Sequence, residues 1–301
     1  MDRHPSRHAI TPLDDRAIIE VRGADARRFL HGLLTNDIAK LEDGRAAYAA
    51  LLSPQGKIQF VMFVVSDGDR FLIDVALSSA AALVKRLALY KLRADVTITD
   101  VSARLRVLAE WGGSPGDEDQ GTRPTGHSFT DPRHQSLGRR ILVERNTALP
   151  ARPIDVAAYV AHRISLGVPD AEVDFPLGDT YPHDANFDLQ NGVSFTKGCY
   201  VGQEIVARMQ HKSVVRKRIV RVTGSRDLPA DQPEIAGGGV PIGRLGSVSG
   251  QRGLALLRLD RVAEFRAKGV ALEADGILIT IEPGDESLVA AAAKPEERPA
   301  G

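Results

Sequence analysis

The sequence predicts a soluble α+β fold, and three observations carry that expectation. Ile58–Val65 and Arg70–Ala76 are strand-forming runs joined by Ser66-Asp67-Gly68-Asp69, where Asp-Gly is a strong hairpin signal. Ala26, Phe29, Leu30, Leu33 and Leu34 recur at i, i+3, i+4, i+7 and i+8, the template of an amphipathic helix. The last third holds short strand-like runs between glycine turns, a spacing that suits a small β-barrel or sandwich. At 301 residues and 43% hydrophobic, the chain has material for a large core divided among two or three lobes.

The elements follow in order. Ala17–Val21 reads as a first strand. The helix after it has Asp25 placed to cap its start, and it stops at Thr35-Asn36-Asp37, whose short polar side chains bond local backbone. Tyr48–Leu52 is a strand ended by Ser53-Pro54-Gln55-Gly56, and the hairpin comes next. Ser79–Arg93 is a helix with Leu83, Val84, Leu87 and Tyr90 inward, followed by strands near Val96–Val101 and Leu105–Ala109. Mixed strands with two helices on one face make the N-terminal lobe, residues 8–111.

Residues 112–138 are rich in Gly, Pro, Asp, Ser and Thr and read as an exposed loop; Asp131-Pro132-Arg133 near its end reads as a plain turn, with an arginine brought back to a site as the alternative. A second part of the same region, 139–211, opens with a strand at Arg139–Glu144. Pro153 then starts a helix through Ile154, Ala157, Ala158, Ala161 and Ile164; Gly167 is its expected C′ residue and Pro169 stops it. From Val173 to Phe195 periodicity is weak, and Tyr181, His183, Asn186, Phe187 and Asn191 are candidates for a pocket wall. In Lys212, Arg216, Lys217, Arg218 and Arg221, charges partly alternate with Val215, Ile219 and Val220 and read as the wet face of a strand. Val240–Ser249, Leu254–Leu259 and Gly276–Glu282 complete a barrel over 212–287, and 288–301 reads as a flexible tail.

Composition excludes several classes. Lys plus Arg and Asp plus Glu number 39 each, so net charge draws the chain to neither nucleic acid nor an anionic membrane. A single cysteine makes no internal disulfide and cannot alone hold a permanent iron–sulfur cluster or structural zinc. The histidines are scattered, so no dedicated metal site is expected. No apolar run approaches a membrane span, and Met1–Pro12 lacks the apolar core of a secretory signal. A cytoplasmic protein is expected.

That cysteine, Cys199, stands in Lys197-Gly198-Cys199-Tyr200-Val201-Gly202-Gln203-Glu204, before a helical pattern. Val201, Ile205 and Met209 form one expected buried stripe, and Glu204, Arg208 and His211 another face with an i, i+4 ion pair. A thiol at a helix start, with Lys197 near, is expected to ionise readily and to work as a functional group.

The run Asn191-Gly192-Val193-Ser194-Phe195-Thr196 leading into that motif resembles the signature of the YgfZ family. These are folate-binding proteins related to the glycine-cleavage aminomethyltransferase, and they assist iron–sulfur cluster assembly and repair. Arg208-Met209-Gln210-His211 continues the likeness, which is closest to the branch holding the mitochondrial cluster-assembly homologue. Gly23 through Asp37, Pro54-Gln55-Gly56-Lys57 and Gly243-Arg244-Leu245-Gly246-Ser247 resemble the family's remaining motifs, in the same order.

The resemblance implies a tri-lobed, aminomethyltransferase-like folate-binding fold with a C-terminal β-barrel. It implies tetrahydrofolate or a folate derivative as cofactor, and Cys199 with Lys197 as the reactive pair. Asn36, Asp37, Tyr200, Gln203, Glu204 and Arg208 would line the folate pocket, and Cys199 would either ligate iron transiently or attack a sulfur or one-carbon adduct near the folate. Partners would be iron–sulfur assembly proteins or cluster-containing clients, including tRNA-modifying enzymes. The transferases carry paired aspartates after a Gly-Gly turn, whereas Lys57-Ile58-Gln59-Phe60 stands here; Ser165 follows Arg163-Ile164 where they place a glutamate. Neither Gln59 nor Ser165 moves a proton as a carboxylate does, so a classical enzyme is not expected. The alternatives are a tetrahydrofolate-dependent one-carbon transferase, or a docking module whose basic stretch meets an acidic partner or RNA.

Overall fold

The computed structural model describes residues 9–112, 125–149, 154–212 and 215–293. The chain divides into two compact units, one made of Met1–Leu52, Gln59–Tyr159 and Gln190–Val201, the other of Ser53–Ile58, Val160–Leu189 and Gly202–Gly301.

In chain order the first region contains β1 (Ala9–Leu13), β2 (Arg16–Arg22), α1 (Ala26–Leu33), β3 (Ala46–Leu52), β4 (Ile58–Asp67) and β5 (Arg70–Ala76). It continues with α2 (Leu77–Lys91), β6 (Thr97–Asp100), β7 (Leu105–Trp111), β8 (His127–Thr130) and β9 (Arg139–Glu144). The hairpin expected from Asp67-Gly68 is β4–β5, with Asp67 opposite Arg70. One sheet runs β3-β4-β5-β2-β6 and a second β1-β7-β9-β8. Ile73 and Val75 of β5 join Leu30, Leu33, Leu83 and Leu87 of the two helices in one apolar cluster. Asp25 does not cap α1 with its side chain; its carboxylate accepts from Asp95 N instead, and that bond lowers its pKa.

Strand alternation sends Asp74, between Ile73 and Val75, to the opposite face of β5. There it meets Arg16, whose Nε lies 2.6 Å from its Oδ1, and Arg140, whose Nη1 lies 2.6 Å from its Oδ2. Arg140 also reaches Asp131, which Arg133 grips through Nε and Nη2. Asp131-Pro132-Arg133 is therefore no plain turn but part of a buried ionic chain, Asp131 and Arg133 being only 2% and 4% exposed. Burial pushes the Asp131 pKa up, yet Arg133 and Arg140 overrule it and hold it at about 2. The three guanidinium carbons stand 4.0–5.9 Å from the Phe63 ring centroid, a cation–π floor for the chain.

The far end of the 112–138 stretch is thus not exposed loop: β8 pairs with β9 and Phe129 is buried. The rest of it, 113–124, lies outside the described residues. Strand β1 pairs with β7 over Ala9–Leu13, a region whose composition alone gave no strand signal.

The second unit takes most of α3 (Val156–Ser165), together with α4 (Gln203–Lys212), β10 (Lys217–Gly224), β11 (Glu234–Gly237), β12 (Val240–Ser249) and β13 (Arg252–Arg258). It ends with α5 (Leu259–Ala267), β14 (Leu272–Ala274), β15 (Ile277–Ile281) and α6 (Glu286–Ala292). Strands close a barrel in the order β10-β13-β12-β11-β14-β15, filled by Val220, Val222, Leu245, Leu257 and Ile279. Glycine turns announced three of the strands; α5 and the short β11 and β14 had no comparable signal. The expected tail begins instead as α6, which buries Val289 and Ala292, and 294–301 lie outside the described residues.

Two further expectations change in this unit. Arg218 is not on a wet face: it is 9% exposed and bonds Asp188 through both Nη1 and Nη2, with His183 O as a further acceptor. Arg221 likewise pairs with Asp285 at 2.7 Å. Nor do His183, Asn186 and Phe187 stand exposed as a wall; all three are buried, and Asn186, at φ 60°, donates Nδ2 to Ile219 O. Polar side chains in this stretch satisfy buried backbone, which is what a segment without periodic structure needs in order to be buried.

Candidate functional site

The cysteine motif lies in a loop that packs on the C-terminal end of α1. An α-helix ends with carbonyls that have no intrahelical donor. Here Lys197 answers them: its Nζ donates to His31 O, Leu34 O and, at 3.0 Å, Asn36 O. Thr35 Oγ1 donates to Gly192 O at 2.6 Å and accepts from Ala50 N, while Ser194 N donates to Thr35 O. Asn36 Nδ2 bonds both Tyr48 O and Asn191 O, and Asn36 Oδ1 accepts from Asp37 N. The Thr35-Asn36-Asp37 cluster, which by itself only stops a helix, is thus the seam that receives the loop.

Burial lowers the Lys197 pKa to about 8, with Asp37 opposing the shift. Tyr200 is half-buried, its pKa raised to about 12 by desolvation, and its ring centroid lies 5.0 Å from Lys197 Nζ. Cys199, between them, is exposed.

One residue that sequence reasoning missed is His31. A Cβ added at Gly198 would lie 4.0 Å from His31 Nε2, so the imidazole stands beside the residue preceding the cysteine. Its Nδ1 accepts from Ala39 N at 3.2 Å. Burial and the Lys197 charge lower its pKa despite Asp37. Only a helical pattern ending at that position hinted at it.

Asn36 and Asp37 border a groove of about 450 Å³ that also touches Lys40, Arg45, Pro132 and Asn191. Asn191, at φ 54°, donates Nδ2 to Pro132 O across it. A smaller pocket of about 240 Å³ shares Arg45, Pro132 and Asn191 with the groove.

The remaining candidates belong to the second unit. Helix α4 begins at Gln203, four residues after Cys199, and the dipole effect fades beyond a helix's first turn. The helix-start account of the thiol therefore fails. Gln203 is half-buried, Glu204 and Arg208 are exposed, and no ion pair joins those two among the described residues. The buried position of α4 is Val206 rather than the expected stripe, with Ile205 and Met209 half-buried. Gly56, at φ 77°, faces this helix so closely that a Cβ there would sit 2.9 Å from Ile205 Cβ. Ser165 Oγ donates to His162 O, and Arg163 is locked to Asp174, Val168 O and Ser247. Among the described residues, no group of three or more His, Cys, Asp or Glu is placed to hold a metal.

The fold is aminomethyltransferase-like, and it carries an exposed thiol. Residues 9–115 match the GCVT N-terminal domain, and 216–285 match the CAF17 C-terminal β-barrel domain. Over 91% of this chain and 85% of the other, the structure resembles the glycine cleavage system aminomethyltransferase T from Bartonella henselae, with TM-score 0.69 and 17% identity, a likeness of fold.

Curated relatives carry the name iron-sulfur cluster assembly factor IBA57, mitochondrial. The Homo sapiens protein is 34% identical over 276 residues, 83% of this chain and 77% of that protein. The Mus musculus protein is 33% identical over 278 residues, with the same two coverages. A homologue from Mycosarcoma maydis is 33% identical over 238 residues, 73% of this chain but 58% of its own length. The chain belongs to the IBA57 family of iron–sulfur cluster assembly factors. The YgfZ-like signature pointed to this family more broadly, through its mitochondrial branch. No helix of the described residues is long and apolar enough to cross a membrane.

Proposed function

We propose that this protein assists the assembly or repair of iron–sulfur clusters, with Cys199 as its functional thiol and tetrahydrofolate or a derivative as its ligand. The observation that carries the proposal is an exposed Cys199 in a loop whose anchoring side chains are all in use. A soft thiolate suits iron. A cluster ordinarily takes several such ligands, so the others come from a partner assembly protein or a cluster-containing client. Enzymes that modify tRNA with a cluster are the client class we favour, with the mitochondrial matrix as the compartment in a eukaryote.

For folate, the aminomethyltransferase-like fold and the groove at Asn36 and Asp37 support the reading. The groove's volume lies within the range of small-molecule sites. Asn36 has both amide hydrogens engaged and shapes the wall, while the Asp37 carboxylate is the acceptor for the N–H groups of a pterin. Tyr200, Gln203, Glu204 and Arg208 remain proposed contacts.

Two experiments test the reading. In cells lacking the endogenous factor, Cys199→Ala should fold normally and leave cluster-dependent enzymes inactive; full support of those enzymes would sink the thiol role. Calorimetric titration with tetrahydrofolate should show saturable binding in wild type and Cys199→Ala alike, and no heat in either would remove folate. The docking-module alternative loses ground because Arg218 and Arg221 are engaged in ion pairs within their own unit.

A further inference from the structure

We infer that Lys197 is a positioning residue that clamps the cysteine loop onto the carbonyl end of α1, rather than a partner that activates the thiol. The inference rests on the functional role of Cys199 proposed above. An ammonium has three N–H donors and no acceptor. Each of the three has a backbone carbonyl to go to, from His31, Leu34 and Asn36. No N–H remains for a thiolate. The carbonyls belong to the last turn of α1, its cap and the residues just beyond, where partial negative charge accumulates.

The anchor is long-range, 161 to 166 residues apart in sequence, and it sits two positions before Cys199. The same seam fixes the loop at Asn191, Gly192 and Ser194. Lys197 is its last tether before the thiol, and the chain beyond it emerges into solvent at Gly198 and Cys199, both exposed. His31 belongs to the same device: its carbonyl takes the ammonium while its ring stands beside Gly198. A thiol meant for another macromolecule has to be held outward without being covered. A half-buried cation two residues before it, held by three backbone carbonyls, does this while Cys199 stays exposed.

The two roles for Lys197 separate in one comparison of wild type with Lys197→Met. The pH profile of Cys199 alkylation by iodoacetamide, a neutral reagent, reads the thiol's own ionisation. Amide exchange at Ser194 reads the clamp. Lys197→Met is expected to leave the alkylation midpoint where it is, to speed Ser194 exchange about tenfold or more, and to lower support of cluster enzymes. A midpoint that moves upward would overturn the inference, because it would show the ammonium acting on the thiol. Unchanged Ser194 exchange would overturn it equally. Cys199→Ala, run alongside, separates this from the broader reading: if that variant supports clients fully, the thiol role has failed and not the clamp.

Discussion

Residues 173–190 and residues 191–200 adjoin in sequence and share a composition of turn formers, amides and aromatics, yet they have opposite fates. In the first stretch Asp174, Phe175, Thr180, His183, Asn186 and Phe187 are buried. Asp174 takes Arg163 at 2.8 Å and the amides of Ser247 and Asp170. The second is held just as firmly at its beginning but ends in an exposed thiol. Polar residues in a loop act as scaffold where they are buried against protein partners, as Asp174 and Asn186 are, whereas the thiol of Cys199 is left exposed. Composition is blind to the difference.

The comparison can be broken most violently at Asp174. Asp174→Ala takes from the buried Arg163 guanidinium the carboxylate it bonds at 2.8 Å, with Val168 O and Ser247 Oγ still among its acceptors. A loss of about 3–5 kcal/mol is expected in denaturant unfolding; a loss below about 1 kcal/mol would mean that the segment does not rely on the pair.

Asn186→Ala is the next test. It removes the Nδ2 bond to Ile219 O, the Oδ1 acceptor of Arg218, and a side chain tolerant of φ 60°. About 2 kcal/mol should go, and restoration by Asn186→Gly of only the backbone share would sharpen the account.

The loop's response to alkali has a definite sign. Lys197 falls from 10.5 in an unfolded chain to about 8. Between those values the unfolded state binds more protons, so wild-type stability should rise with pH through that window and level off above it. Lys197→Met should flatten that rise in urea midpoints measured from pH 7 to 11. A slope unaltered by the substitution would assign it to other groups.

Smallest of all is Cys199→Ser. An exposed side chain carries little of the fold, so stability should stay within about 0.5 kcal/mol of wild type in the same assay while cluster support is lost. A large destabilisation would make the thiol structural, and the contrast between the two stretches would collapse.

Most helices and strands of this protein could be read from the sequence because their signals are local. Hydrophobic repeats marked α1, α2 and α3, Asp67-Gly68 marked the β4–β5 hairpin, and glycine turns marked much of the barrel. The Lys197-to-Glu204 signature marked the loop proposed to carry the functional thiol. Where elements had too little length to show a period, as in β8, β11 and β14, the sequence was silent. It misled where polarity stood for exposure, at Arg133 and Arg218, since a guanidinium can be buried once carboxylates and carbonyls meet it. Whether Thr35 and Asn36 merely ended a helix or received a loop from beyond residue 190 was settled only by tertiary structure. So was the direction in which Lys197 points. A hydrogen bond across some 160 residues leaves no trace in any window of sequence, because it is set by where two segments come to rest rather than by the order of residues in either.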